Sequence, residues 1–80
     1  MKKLNWRKYI KIRQCNSGSS VGTIDKNYVL ANYTGAFSIP EFYLLSDEEF
    51  LSYEDWCNNL EAYRNIIWNR EIVASALWDD

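Results

Sequence analysis

The sequence predicts an α+β fold, with a small antiparallel sheet of three or four strands in the N-terminal half packed by one long or two shorter C-terminal α-helices. Three observations predict it. Residues 4–13 alternate at period two, as a strand with one buried face does. Gly, Ser, Asp and Asn clusters then cut the chain into short pieces up to residue 39, as turns between strands do. From Ser46 onward the chain has neither Pro nor Gly, opens on Ser-Asp-Glu-Glu, and spaces its apolar residues as a helix does. Eighty residues fit one domain, 1–80, and so short a chain buries only about 60–65% of its unfolded surface. Aromatics make up 16% of the residues, so large rings compensate for the small core.

In the first segment, Leu4, Trp6, Ile10 and Ile12 fall on one strand face, interrupted by Lys8. Arg7, Tyr9, Lys11 and Arg13 fall on the other with Asn5, which makes a basic outward face. A helical stripe of Trp6, Tyr9, Ile10 and Arg13 is the alternative, and the β-branched and aromatic content favours the strand. Gln14–Gly22 is a loop by composition. Its Gly and Ser residues lack the spacing and the following helix that phosphate binding needs.

A short strand over Val21–Ile24, a turn at Asp25-Lys26-Asn27 and a strand over Tyr28–Tyr33 come next, because Asp and Asn tolerate turn conformations. Thr34-Gly35 turns the chain again. Ala36–Ile39 makes a last short strand, and Pro40 ends it or marks an edge. Glu41–Leu45 leads into the helices.

Ser46 and Glu49 form a capping box, with Leu45 and Phe50 placed for a hydrophobic staple. Ser52-Tyr-Glu-Asp repeats the start signal, which allows a short first helix and a main helix from Ser52. Phe50, Tyr53, Cys57, Leu60, Tyr63 and Ile67 form the apolar stripe. Ile72, Val73, Ala76 and Leu77 form a second one. A single helix over 53–78 would be about 39 Å long, against an expected radius of gyration of about 12 Å. A break is therefore expected near Asn65–Glu71. The expected core is Trp6, Ile10, Ile12, Ile24, Val29, Phe37, Phe50, Trp56, Leu60, Ile67 and Val73.

The net charge of −2 hides a split. Residues 1–26 carry seven bases against Asp25 alone, and residues 27–80 carry ten acids against Arg64 and Arg70. Such asymmetry marks an interaction surface or two halves that attract each other. Cys15 and Cys57 match no metal-ligand spacing and are read as two free thiols of a reducing compartment. The basic start has no apolar h-region and no apolar run is long enough to cross a membrane. The expected location is cytoplasmic, in the protein's own cell or a host cell, with no membrane partner.

A catalytic reading has little support. Asp47, Glu48, Glu49, Glu54 and Asp55 sit in first turns of expected helices, where acids serve capping and solvation. The chain has no His to activate Cys57 as a nucleophile. No metal or cofactor is expected, because the acids lack a calcium-loop pattern.

The favoured function is a small, acidic, non-catalytic protein-binding module that inhibits or modulates another macromolecule, in an immunity or viral anti-defence setting. Asp47, Glu48, Glu54, Asp55 and Glu61 would form the acidic face that docks on a basic groove. Glu54 and Glu61, seven residues apart, would lie about 10.5 Å apart along one helix. The alternative is nucleic-acid binding by the first strand, with Arg7, Lys11 and Arg13 neutralising phosphates and Tyr9 stacking on a base. A third reading is a homodimeric structural subunit with the Trp-rich C-terminal segment as its seam.

Overall fold

The computed structural model describes residues 4–16, 18–34, 39–68 and 70–75. Five strands form one antiparallel sheet in the order β1 (Ile10–Gln14), β2 (Ser20–Ile24), β3 (Asn27–Thr34), β4 (Ile39–Leu44) and β5 (Ile72–Ser75). Three short helices, α1 (Asp47–Leu51), α2 (Tyr53–Trp56) and α3 (Leu60–Ile67), connect β4 to β5. The fold is α+β, with five strands rather than three or four and with helices far shorter than the sequence suggests. The radius of gyration is 11.6 Å.

The register explains the two-sided core. Val21, Leu30 and Tyr43 stand opposite one another across β2, β3 and β4 and pack under the helices with Leu45, Phe50, Tyr53 and Trp56. One residue along, Ala31, Phe42 and Ala74 align on the opposite face and pack with Leu4, Ile24, Val29 and Val73. A register shift in β4–β5 pairs Phe42 with Ala74 but Tyr43 with Ile72. The extra residue of this bulge lets the consecutive Val73 and Ala74 both join the second cluster.

That second face is covered by an N-terminal arm, Leu4–Tyr9. Leu4 N–H donates to the Val73 carbonyl at 2.7 Å, next to one edge of the sheet. Tyr9 reaches β2 near the other edge, its hydroxyl 2.7 Å from Ser20 Oγ and its ring 4.9 Å from that of Phe42. Between them Trp6–Lys8 is a 3₁₀ turn, not a strand. Asn5 starts it, its Oδ1 accepting from Arg7 N–H at 3.0 Å, a local bond that competes with extended pairing.

The turn and a register shift between Lys11 and Arg13 break the period-two pattern, so the expected long first strand shrinks to five residues. Ile10 and Ile12, expected in the core, are 66% and 53% exposed. Gly22 lets β1 approach β2 closely, since a Cβ there would collide with the Ile10 carbonyl.

The β2–β3 hairpin falls where expected. Asp25 and Lys26 both take positive φ (51° and 71°), the two-residue turn that matches strand twist. Asn27 Nδ2 braces it by donating to the Ile24 and Asp25 carbonyls.

The Ser46 capping box forms as expected, with Glu49 N–H to Ser46 Oγ at 3.1 Å and Ser46 N–H to Glu49 Oε1 at 2.9 Å. Leu45 and Phe50, the expected staple pair, lie in one buried cluster. The first helix is short, but Ser52 does not cap a long second one. Its hydroxyl instead donates back to the Glu48 carbonyl at 2.8 Å. Asn59 caps the third helix, accepting from Ala62 N–H at 3.1 Å.

Residues 72–75, expected to be helical, form the fifth strand. Ile24, Val29, Phe50, Trp56 and Val73 are buried as expected, and Trp6 and Ile67 pack half-buried against the core. Leu60 is exposed, and Phe37 lies outside the described residues.

Cys15 and Cys57 are joined in a disulfide across 42 positions, with their Cα atoms 6.2 Å apart. This corrects the expectation of two free thiols and removes that argument for a reducing compartment, since disulfides persist in oxidising ones. Among the described residues no helix is long and apolar enough to cross a membrane.

Candidate functional site

The helical layer carries the expected acids. The capping box fixes the first turn of α1, which holds Asp47 and Glu48 at the positive end of the helix dipole. Glu54 and Asp55 open α2 and Glu61 opens α3. All five are exposed.

A turn at Cys57–Asn59 separates α2 from α3, so the expected spacing of Glu54 and Glu61 along a single helix does not exist. Over residues 46–68 six acids face one base, Arg64. Three exposed apolar side chains belong to the same stretch, Leu51 (73%), Leu60 (65%) and Trp68.

One acid of this layer is structural. Glu49 Oε1 and Oε2 accept from Arg70 Nη1 and Nη2 at 2.7 and 2.8 Å, and Arg70 Nη1 also donates to the Leu44 carbonyl at 2.7 Å. Arg70 and the Ser46 cap hold the Glu49 carboxyl down at about 2 against the cost of its partial burial. The sequence reading gave Glu49 the capping role and missed its partner Arg70.

The four residues of the alternative basic face do not share a face. Arg7 lies in the 3₁₀ turn with its guanidinium 5.0 Å from the Trp6 ring centroid. Tyr9 packs on the sheet, and burial pushes its hydroxyl up to about 12. Arg13 folds under the helices, donates to the Phe50 carbonyl and stands 4.8 Å from that ring, with Glu54 Oε1 3.9 Å away. Lys11 alone of the four is exposed on β1. Of the Trp-rich segment proposed as a dimer seam, Trp56 is buried, Trp68 is 76% exposed, and Trp78 lies outside the described residues.

Beside the acids, a cavity of about 260 Å³ opens where the end of β3, the loop before β2 and the α2–α3 turn meet. Ser19, Asn32, Tyr33, Asn58, Leu60 and Tyr63 line it, with Cys57 of the disulfide in its wall. Gly18, at φ 101°, turns the loop at its edge.

Burial grades through the cavity. Ser19 is 6% exposed, Asn32 and Tyr63 are half-buried, and Leu60 stands out at 65%. Tyr63 Oη donates to Asn32 Oδ1 at 2.7 Å, and Ser19 Oγ is 2.7 Å from the Tyr53 hydroxyl. Burial pushes the Tyr63 hydroxyl up to about 12, so it remains a protonated donor at neutral pH. Asn58 Oδ1 lies 3.0 Å from Cys15 Sγ.

No family model, curated protein or solved structure matches the chain. The functional reading therefore rests on these groups alone. The cavity offers hydroxyls, amides and apolar surface, a set that orients an uncharged guest by hydrogen bonds.

Sequence reasoning named none of the cavity residues as a site. Asn58-Asn59 carried one usable signal, a polar pair suited to a helix start. Asn32 and Tyr63 carried none, because 31 positions separate them and only the fold brings them together.

Proposed function

We propose that this protein is a non-catalytic protein-binding module, an inhibitor or modulator that sets its acidic helical layer against a basic surface of its partner. The observation that carries the reading is the layer's exposed composition, five acids (Asp47, Glu48, Glu54, Asp55 and Glu61) to one base, Arg64, with Leu51 and Leu60 exposed in the same stretch. Complementary charge steers association and fixes register, and apolar anchors inside a polar rim supply affinity. Asp55 and Glu61 are the preferred probes, because Glu54 lies near Arg13 and Asp47 and Glu48 stabilise the start of α1.

The test is capture of a partner from nuclease-treated lysate of the native or host cell on immobilised protein, eluted with rising salt. A stoichiometric protein released by salt and lost with the double variant Asp55→Lys/Glu61→Lys supports the reading. Undiminished capture by that variant removes it. Capture that depends on added nucleic acid overturns it in favour of the basic residues, and a dimer in light scattering with no other partner overturns it in favour of self-association.

A further inference from the structure

The cavity beside the acidic layer has a polar depth and an exposed mouth formed by Gly18, Tyr33, Asn58 and Leu60. In its depth, Tyr63 gives its proton to Asn32 Oδ1. The Tyr63 oxygen also shares a hydrogen bond with Ser19, so of this pair only the amide hydrogens of Asn32 are unspent on these bonds. Ser19 is buried beside them, with its hydroxyl also 2.7 Å from that of Tyr53. At the mouth stands the apolar Leu60, and Cys57 belongs to the wall.

None of the lining side chains is charged. An ionised guest would lose water without meeting a counter-ion in the lining, which is costly. A purely apolar guest would cover the Tyr63–Asn32 pair and leave the Asn32 amide hydrogens unmet. The fitting guest is a neutral group with an apolar body and a tip that accepts a hydrogen bond.

A phenol ring has that form. An indole differs, because its N–H only donates. The volume of 260 Å³ lies just under the roughly 300 Å³ at which sites for whole small molecules begin, which suits one ring. The disulfide between Cys15 and Cys57 and the Ser19–Tyr53 hydrogen bond hold the walls in place, so little ordering is needed on binding.

We infer that this cavity receives a tyrosine side chain of the protein partner, with the phenol hydroxyl at the Tyr63–Asn32 pair and the ring against Leu60. The inference rests on the protein-binding reading and gives that interface its anchor. Leu60 and Glu61 are consecutive at the start of α3, so the mouth of the cavity lies next to an acid of the layer. The partner surface is then basic around one tyrosine, and tyrosine is among the residues that dominate interface energetics.

The test uses the full chain and p-cresol as the probe, read by amide chemical shifts in a ¹⁵N NMR titration. Saturable shifts centred on Ser19, Asn32, Asn58, Leu60 and Tyr63 are expected, with a Kd on the order of 1 mM for so small a fragment. Toluene, which lacks the hydroxyl, should bind about tenfold more weakly. Tyr63→Phe should bring p-cresol to the toluene level. Leu60→Ser, at an exposed position, should weaken p-cresol about fivefold without disturbing the fold.

Asp55→Lys/Glu61→Lys should leave p-cresol binding unchanged, which separates this inference from the acidic-layer reading. Absence of saturable shifts at about 10 mM p-cresol overturns the inference. So do equal binding of toluene, equal or tighter binding of indole, and unchanged binding by Tyr63→Phe.

Discussion

The same sheet is covered in two different ways. On its helical side, three short helices lie over Val21, Leu30 and Tyr43, and long-range links tie them down: the Cys15–Cys57 disulfide, the Glu49–Arg70 pair, and Arg13 under Phe50. On the other side, one arm of six residues crosses Phe42 and Val29, held by the Leu4–Val73 hydrogen bond and by Tyr9 on Ser20 and Phe42. The helical side holds elements too short to be stable alone, since isolated helices below about 12–15 residues are marginal in water. Its cross-links take the place of helix length. The arm needs no cross-link, because it is a single segment anchored at both ends.

Removing the covalent link tests this comparison most severely. Cys57→Ser, or reduction of the disulfide, frees a loop of 42 positions and should cost about 4 kcal/mol by chain entropy. Urea unfolding with and without dithiothreitol measures it. A loss below about 1 kcal/mol would mean that packing alone holds the helical layer.

Gly22→Ala comes next. The added methyl meets the Ile10 carbonyl, so β1 must shift, and a loss of about 3 kcal/mol is expected in the same assay.

Glu49→Gln should cost roughly 2 kcal/mol at pH 7, because it breaks a paired, hydrogen-bonded carboxylate. The sign follows from the depressed pKa of Glu49. Its contribution is complete above the ordinary value of 4.5 and fades as pH falls toward about 2. Thermal melts between pH 7 and pH 2 should therefore converge for the wild type and this variant. Parallel curves would remove the ion pair from the account.

The smallest effect belongs to the arm. Tyr9→Phe loses one half-buried hydrogen bond to Ser20 and should lower stability by about 1 kcal/mol, or roughly 4–8 °C in Tm. A larger loss than that from Glu49→Gln would reverse the ranking of the two sides.

Local chemistry was legible in the sequence, and long-range pairing was not. The Asp25–Asn27 turn and the Ser46–Glu49 cap each lie within four residues, and both appear where their side chains predict. The first segment misled because its alternation runs through Asn5, whose side chain starts a 3₁₀ turn, and through Ile12, where the strand slips register. Residues 72–75 read as a helical stripe, yet Ile72, Ala74 and Ser75 pair with the edge of β4 and Val73 forms the bulge between them. β-branched residues suit a strand once such an edge is within reach. The acids of the helical layer were legible as residues but not as a surface, because the Cys57–Asn59 turn reorganises their spacing. The cavity beside them combines positions as distant as Asn32 and Tyr63, and no local pattern announces such a pair.

The hydrogen bond from Leu4 to Val73 also bears on the order of events during folding. It joins segments near opposite ends of the described chain, and one clasps the other. The β2–β3 hairpin closes through two residues, whereas the Val73 carbonyl that the arm bonds lies on β5, far along the chain from Leu4. Distant contacts carry the larger entropic cost of loop closure and form late on the pathway. Leu4→Ala should therefore leave the refolding rate nearly unchanged and accelerate unfolding, as stopped-flow chevrons would record. By that expectation the arm is a latch on lifetime: it should set how long the native state persists, not how quickly it is reached.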